Sequence, residues 1–394
     1  MSDRYLFYIV ATLIWTGVLF SFSLPLFLTQ KIGVSQFYFF NKQALFAIAA
    51  FFIMWFLARL DPDKYLSKIG FSLFFFFFLL MFVMPFLPES VVPTINGARR
   101  WIRLNSLSLS PVEFFKVGFV FFLAWSLTRK LYRPKAERAG FTFARELGVI
   151  APYVAIFLVA VILIAVMQND LGQVVVLGSV MVLMILCAGA SGAVFLSLVG
   201  LFASGAIALI LLASHRIERV VAWWYGVQEF VLSLFPEFIA KHLRVEGAIA
   251  SGSEQLNQSL QAFNHGGATG AGVGGGVIKL GFLNDAHNDF VLSGIAEEAG
   301  LFGVTMITML ILLLVYRILK IANRVPEDRP VFFLFSVGIG VMIAVQFLIN
   351  ALGSVGIIPI KGITAPFISY GGASLVALSI AIGLVLMVSK RARI

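Results

Sequence analysis

The sequence predicts an all-α integral membrane protein: a ten-helix transmembrane bundle with a large extracytoplasmic loop between spans 7 and 8. Three observations carry that prediction. Of 394 residues, 60% are hydrophobic and only 12% are charged, about half the charge of a soluble domain. The mean hydropathy is +0.98. Apolar runs of the length needed to cross ~30 Å of hydrocarbon recur at 5–29, 44–60, 69–87, 111–128, 148–167, 171–190, 193–213, 290–316, 331–352 and 366–388. Only helices and closed barrels satisfy their backbone in lipid, and these runs are too long and too uniformly apolar for barrel strands. One polytopic domain, 1–394, follows, with the 214–289 loop inside it.

The first span follows Asp3 and Arg4 and is too long for a signal-peptide core, so it is read as retained. Phe74 to Phe78 form a lipid or packing face in the third. The net charge of +10 belongs to loop residues rather than to a nucleic-acid partner, since no basic run is interleaved with aromatics. Cys187 is the only cysteine, which excludes an intrachain disulfide. Seventeen Lys and Arg lie on the side of the termini, against six in the short opposite loops. That bias places both termini in the cytoplasm. The loops near 89–110 and 353–365, the turn at Gln168-Asn169-Asp170 and the 214–289 loop then face outward.

In that long loop, Trp223, Trp224, Val227, Phe230, Val231, Leu234 and Phe238 have helical spacing. The pattern suits a helix in the membrane interface, or one packed on the protein. His215, His242, His265 and His287 also lie there, too widely spaced for a compact metal site and read as solvated. The glycine-rich 264–280 lacks the Gly-Lys-Ser/Thr of a phosphate loop and is read as flexible backbone beside a substrate groove.

Several polar groups interrupt this apolar chain. Arg99, Arg100 and Arg103 flank Trp101 just outside the membrane, where guanidinium groups meet phosphates or lipid headgroups. Ser110-Pro111-Val112-Glu113 reads as a capping box, with Lys116 one turn deeper and able to bridge to Glu113. Asp170 caps the sixth span. Glu297 and Glu298 sit inside the eighth, where each charge facing lipid would cost ~2.5–3.5 kcal/mol, so they must face the bundle interior, as ties or as catalysts. Asp285 and Asp289 bracket His287 at that span's outer mouth. Pro359, Lys361, Gly362, Pro366, Gly371 and Gly372 break the backbone before the last span, which implies a cavity.

Five blocks in order resemble the FtsW/RodA/SpoVE family: Asn96-Gly-Ala-Arg-Arg-Trp-Ile, Ser110-Pro-Val-Glu113-Phe-Phe-Lys116, Gln168-Asn-Asp170-Leu-Gly172, Ala286-His-Asn-Asp289-Phe with Glu297-Glu298, and Pro359-Ile-Lys361-Gly with Ser369-Tyr-Gly-Gly372. The resemblance implies an inverting peptidoglycan glycosyltransferase that polymerises lipid II at the outer face of the bacterial inner membrane. It further implies a class B penicillin-binding protein as partner, other division proteins around it, and, from Lys361 in the Pro-x-Lys-Gly position, a septal role. The family's catalytic aspartate falls on Asp289. Arg99, Arg100, Arg103, Glu113, Lys116, Lys361 and Ser369 become substrate-binding candidates, with Asp170, Asp285, Glu297 and Glu298 secondary. A divalent cation, magnesium or manganese, is a possible cofactor. Asn284-Asp285 stands where the family has Pro-Glu, Asn288 where it has Thr, and Ala373 where Ser or Thr is usual. About twenty extra residues fall near 228–250. A transporter of the lipid-linked precursor, or a scaffold for the transpeptidase, is the alternative that the same cavity and charges would serve.

Overall fold

The computed structural model describes residues 3–95, 97–104, 107–132, 143–233, 235–237, 244, 252–280, 283, 285–359 and 362–392. Ten apolar helices occupy the ten expected runs: α1 (Arg4–Ser23), α3 (Tyr38–Arg59), α4 (Pro62–Val83), α5 (Pro111–Lys130), α6 (Phe143–Val161, extended by a π-helical turn Ile162–Met167), α7 (Leu171–Cys187), α8 (Gly192–Leu211), α11 (Val291–Asn323), α12 (Pro330–Ser354) and α13 (Gly372–Ser389). Nine of them are long enough to cross a membrane; α7 has 17 residues. A short α2 (Leu26–Lys31) and two helices in the long loop, α9 (Ser214–Leu232) and α10 (Gly252–Gly266), complete the helical set among the described residues.

Local chemistry sets the ends. The Asp3 carboxylate accepts from Leu6 N and caps α1, while its second oxygen takes Arg317 Nε at 2.7 Å. Pro25 lacks the N–H that would continue the helix, so α1 stops at Ser23, short of the expected residue 29. Asp61 caps α4, with Pro62 at the first helical position. The second span begins at Tyr38 rather than 44. The last begins at Gly372, because 366–371 form turns instead of helix.

The centre of the bundle is α5, on which α4, α7, α12 and α13 pack. It buries Glu113 of its first turn, Lys116 of its second, and nearly every residue from there to Leu127. Gly118 brings α4 close: a Cβ there would stand 2.3 Å from Phe74 N. Part of the phenylalanine run uses that contact, Phe74 stacking on Phe122 at 4.5 Å and Phe77 on Phe114 at 4.6 Å. Phe75 and Phe76 point outward. By contrast α8 buries only Val194 and Leu198, as suits a helix whose other faces meet lipid.

The segment from 85 to 109 carries a hairpin that the sequence pattern did not predict, β1 (Ile102–Leu104) and β2 (Leu107–Leu109), with Arg103 opposite Ser108. In the long loop, α9 packs on α10, and α10 packs on α11. Of the two readings of α9, the packed one holds: Trp223 Nε1 donates to Gly356 O at 2.7 Å. Leu234, Phe238 and His242 lie outside the described residues.

The 264–280 stretch is not a flexible groove wall. It is inserted into a break in α11. Gly300 has φ 67, so the helix cannot pass through it. In an unbroken helix Leu301 N and Phe302 N would bond the carbonyls of Glu297 and Glu298. Here those carbonyls accept from Ala271 N and Gly272 N at 2.9 and 3.0 Å, while Leu301 N and Phe302 N donate to Gly267 O and Ala268 O at 2.9 and 3.1 Å. These four backbone groups, freed by the break, are paired again by the loop, as burial requires. Gly270 is required for that approach: a Cβ there would lie 2.2 Å from Glu298 O.

Candidate functional site

Residues 285–290 make a tight turn into α11. Asp285 adopts φ 57, and its carbonyl accepts from Asn288 N at 2.9 Å. The segment before α13 clamps this turn. Ser369 Oγ donates to Asn288 O at 2.6 Å and accepts from Ala365 N at 2.8 Å. Tyr370 N donates to His287 O at 2.9 Å. Asn350 of α12 gives both amide hydrogens to this junction, one to Asp289 O at 2.8 Å and one to Ile363 O at 2.7 Å. The His287 ring is buried against Phe39 and Tyr370, so it is a packed ring and not the solvated histidine expected. Burial lowers its pKa and keeps it neutral. Ser369 thereby holds the backbone beside Asp289 through both hydrogen bonds of its hydroxyl.

Asp289 itself is half-buried. Among the described residues no donor hydrogen-bonds its carboxylate. Burial first, then the charges of Asp285 and Asp170, push its pKa to about 7, while Arg100 and Arg219 favour its ionised form. Gly362 borders it closely: a Cβ there would stand 3.2 Å from Asp289 Oδ2 and 3.9 Å from Arg100 Nη1. Arg100 is anchored by Gln168 O, 2.9 Å from its Nε, and by Asn169 O, which leaves Nη1 facing Asp170 at 3.8 Å. Asp170 caps α7 through Gln173 N, as expected, and burial raises its pKa as well. Two neighbouring residues, Asn169 and Phe367, share Asp285's left-handed backbone, at φ 52 and 66. Such strain gathers at functional sites because the surrounding structure holds it there.

Below this mouth a buried polar chain runs into the bundle. Glu113 meets Lys116 Nζ at 2.9 Å and accepts from Gln173 Nε2 at 2.9 Å. Lys116 donates to Gln346 Oε1, and Gln346 donates to Thr364 O. The capping box does not form: Ser110's hydroxyl makes no cap bond, and Glu113 turns inward to Lys116 instead. A lysine fully buried at the centre of the bundle needs such a counter-charge, and its ammonium is a better partner for Glu113 than a helix end already closed by Pro111.

The remaining candidates separate. Arg99 donates to the carbonyls of Val92, Pro85 and Leu87, folding the segment that leads to the hairpin. Arg103 is exposed on β1. Glu297 accepts from His265 Nδ1 and from the backbone of Val277, Ile278 and Lys279. Glu298 takes Ser23 Oγ at 2.6 Å and pairs with Lys279, whose Nζ also reaches Ser23 O. Both glutamates are therefore ties, holding the inserted loop to α11 and α1. Lys361 lies outside the described residues. No group of three His, Cys, Asp or Glu converges on one point among the described residues, so a cation would find at most one or two carboxylates, Asp170 and Asp289. That is the way magnesium is usually held when a phosphate ligand supplies the rest.

Sequence reasoning missed Asn350, Gly362's closeness to Asp289, and Arg219. Asn350 follows Gln346 by one helical turn in an apolar span, and that spacing was the available signal. Arg219 shares a face with His215 and Arg216 on a helix whose position no sequence pattern fixes.

The profile of the FtsW/RodA/SpoVE family, described as cell cycle protein, matches residues 3–394. A Helicobacter pylori protein named probable peptidoglycan glycosyltransferase FtsW is 43% identical over 394 residues, covering 99% of this chain and 98% of its own. A Haemophilus influenzae protein of the same name is 30% identical, covering 100% of this chain and 92% of its own. Among solved structures, a chain of a peptidoglycan synthase complex superposes with a TM-score of 0.70 at 24% identity, over 99% of this chain and 98% of that one. Thermus thermophilus RodA gives 0.64 at 23%, over 100% and 98%. Matched from end to end, with all five motif blocks in order on ten helices, this chain belongs to the FtsW/RodA/SpoVE family.

Proposed function

We propose that this protein is a peptidoglycan glycosyltransferase that polymerises lipid II, with Asp289 as its general base. The observation that carries the reading is the state of that carboxylate: half-buried, without a hydrogen-bond donor among the described residues, pKa raised to about 7, and set beside an anchored arginine. A base with a pKa near the working pH has the best balance between being ionised and being strong enough to take a proton.

In the reaction, an Asp289 oxygen takes the proton of the acceptor sugar's hydroxyl. The acceptor's hydroxyl oxygen, relieved of that proton, attacks the donor's anomeric carbon, the bond to the prenyl diphosphate breaks with its electron pair leaving on the diphosphate, and the configuration inverts. Arg100 Nη1 is placed to steady developing negative charge, and Lys361 and Arg103 are further candidates for that task. A magnesium or manganese ion bound with the diphosphate would add positive charge at the leaving oxygens. Lys116 and Glu113 lie beneath, as a neutralised pair that sets the field under Asp170.

The lysine and arginine bias supports cytoplasmic termini and an outward-facing mouth in the bacterial inner membrane. The family's description as cell cycle protein supports a place for that synthesis in division, at the septum with other division proteins, and the similar chain from a complex that coordinates polymerization with crosslinking supports a cross-linking partner, which we take to be a class B penicillin-binding protein. The test is incubation of purified protein, with and without its transpeptidase, with labelled lipid II in detergent. Wild type is expected to make glycan strands and Asp289→Asn almost none. A transporter would make no polymer under those conditions, and a scaffold would be indifferent to Asp289.

A further inference from the structure

Beside the mouth lies a separate cavity of about 370 Å³, within the range of small-ligand sites. Its lining is mixed: polar Asn169, His215 and Arg216 together with apolar Val166 and Leu212. Val166 and Leu212 are 62% and 82% exposed, so the apolar part opens laterally at the ends of α6 and α8, where lipid tails run. The polar part is built around Asn169. Its side-chain oxygen accepts from Arg216 Nη2 at 3.2 Å and meets His215 Nε2 at 3.0 Å, while its carbonyl holds Arg100. Arg216 also donates to Leu209 O and Ala165 O. Those contacts fix the first turn of α9 against the π-helical end of α6, a kind of irregularity frequent at functional sites.

Arg216 uses three of its five N–H donors in this way, which leaves Nε and one Nη1 hydrogen for a ligand. One turn further on, Arg219 is exposed and lies close enough to Asp289 to favour its charged form. Asp170 and Asp289 bound the far side of Arg100. An anion is therefore drawn toward α9 and repelled from the base. A bare phosphate would leave the apolar part unused, and a neutral lipid would leave two arginines unused. An amphiphile with a multiply charged head satisfies both.

We propose that this cavity seats the prenyl diphosphate end of the glycosyl donor, the diphosphate at Arg216, with Arg219 adding positive charge from outside the cavity one turn along α9, and the first isoprene units along Val166 and Leu212. The inference rests on the polymerase reading and adds the place from which the leaving group departs. An inverting displacement needs base and leaving group on opposite faces of the anomeric carbon. Asp289 and the Arg216–Arg219 face of α9 supply such a pair, with Arg100 between them.

The test is photolabelling of the full-length protein, with its transpeptidase, by a diazirine-bearing prenyl diphosphate, followed by peptide mapping. Label is expected on peptides containing Val166 or Leu212. Farnesyl diphosphate should compete at least tenfold better than inorganic pyrophosphate or farnesol. Arg219→Gln, at an exposed position, and Val166→Trp, which fills the cavity, should each cut labelling about tenfold with an unchanged melting temperature. Label elsewhere in the chain, equal competition by pyrophosphate or farnesol, or full labelling of both variants overturns the subsite. Lipid II turnover is read separately on the wild type. Label in the cavity without glycan synthesis would end the polymerase reading and leave a prenyl diphosphate site. Glycan synthesis with label elsewhere would end only the subsite.

Discussion

Two pairs of acids stand within fourteen residues of one another, Asp285 with Asp289 before α11, and Glu297 with Glu298 inside it. The second pair is saturated. Glu297 collects four donors and Glu298 collects Lys279 and Ser23. Asp289 has no donor among the described residues and two other carboxylates near it. The same functional group is a rivet in one place and a base in the other, and what differs is the supply of N–H groups around it. A carboxylate given donors is stabilised as an anion and becomes structure. One denied them keeps its affinity for a proton.

The comparison is broken most sharply by Asp289→Asn. Loss of a general base is expected to lower glycan synthesis by ~10²–10⁴, with the protein still folded and membrane-inserted, as read by gel filtration in detergent and by turnover of labelled lipid II. The variant should also gain stability at alkaline pH. Asp289's folded pKa lies above its unfolded value, so ionising it in the native state costs stability that accumulates as pH rises from about 4 to about 7. Asparagine removes that cost, and the melting temperatures of the two proteins should therefore diverge at pH 8 and agree at pH 4. Next in size is Lys279→Met. It strands Glu298 in the bundle without its ion pair, and removing one partner of a buried pair costs ~3–5 kcal/mol. Thermal unfolding should show that loss, most of it recovered in a Lys279→Met, Glu298→Leu double variant. If the single variant melts like wild type, the glutamates are not ties.

Asp285→Asn sharpens the other half. Asp285 is the first charge that raises Asp289's pKa after burial, so its removal should move the acidic limb of the pH–rate profile to lower pH. The maximal rate should fall far less than for Asp289→Asn. Wild type should lose activity below pH 7 at close to tenfold per unit, because the rate follows the ionised base. The smallest effect is expected for His265→Ala. It removes one of four donors to Glu297, and the half-exposed ring can be replaced by water, so the change in stability should stay under about 1 kcal/mol.

Much of the site was legible in the chain because polar residues are expensive in lipid and so announce themselves. Asp289, Asp170, Glu113, Lys116 and the two glutamates were found that way. Their roles were not legible. Arg99 and Arg100 are adjacent in sequence, yet one folds its own loop and the other reaches Gln168 and Asn169 to face the base. Ser110 and Glu113 match a capping box and do not form one, since a buried lysine claims the glutamate. The 264–280 glycines were read as slack because their partner, the break at Gly300, lies in what looks like continuous helix.

The sequence by itself determined the ten apolar helices, their ends to within seven residues, and the family, because hydrophobic length and motif order are local properties written along the chain. Only the tertiary structure decided which charge faces which donor, where α9 comes to rest, and that 264–280 completes α11. Those outcomes depend on hydrogen-bond partners drawn from segments far apart in the chain, and a residue's identity does not say whether such a partner will be within 3 Å of it.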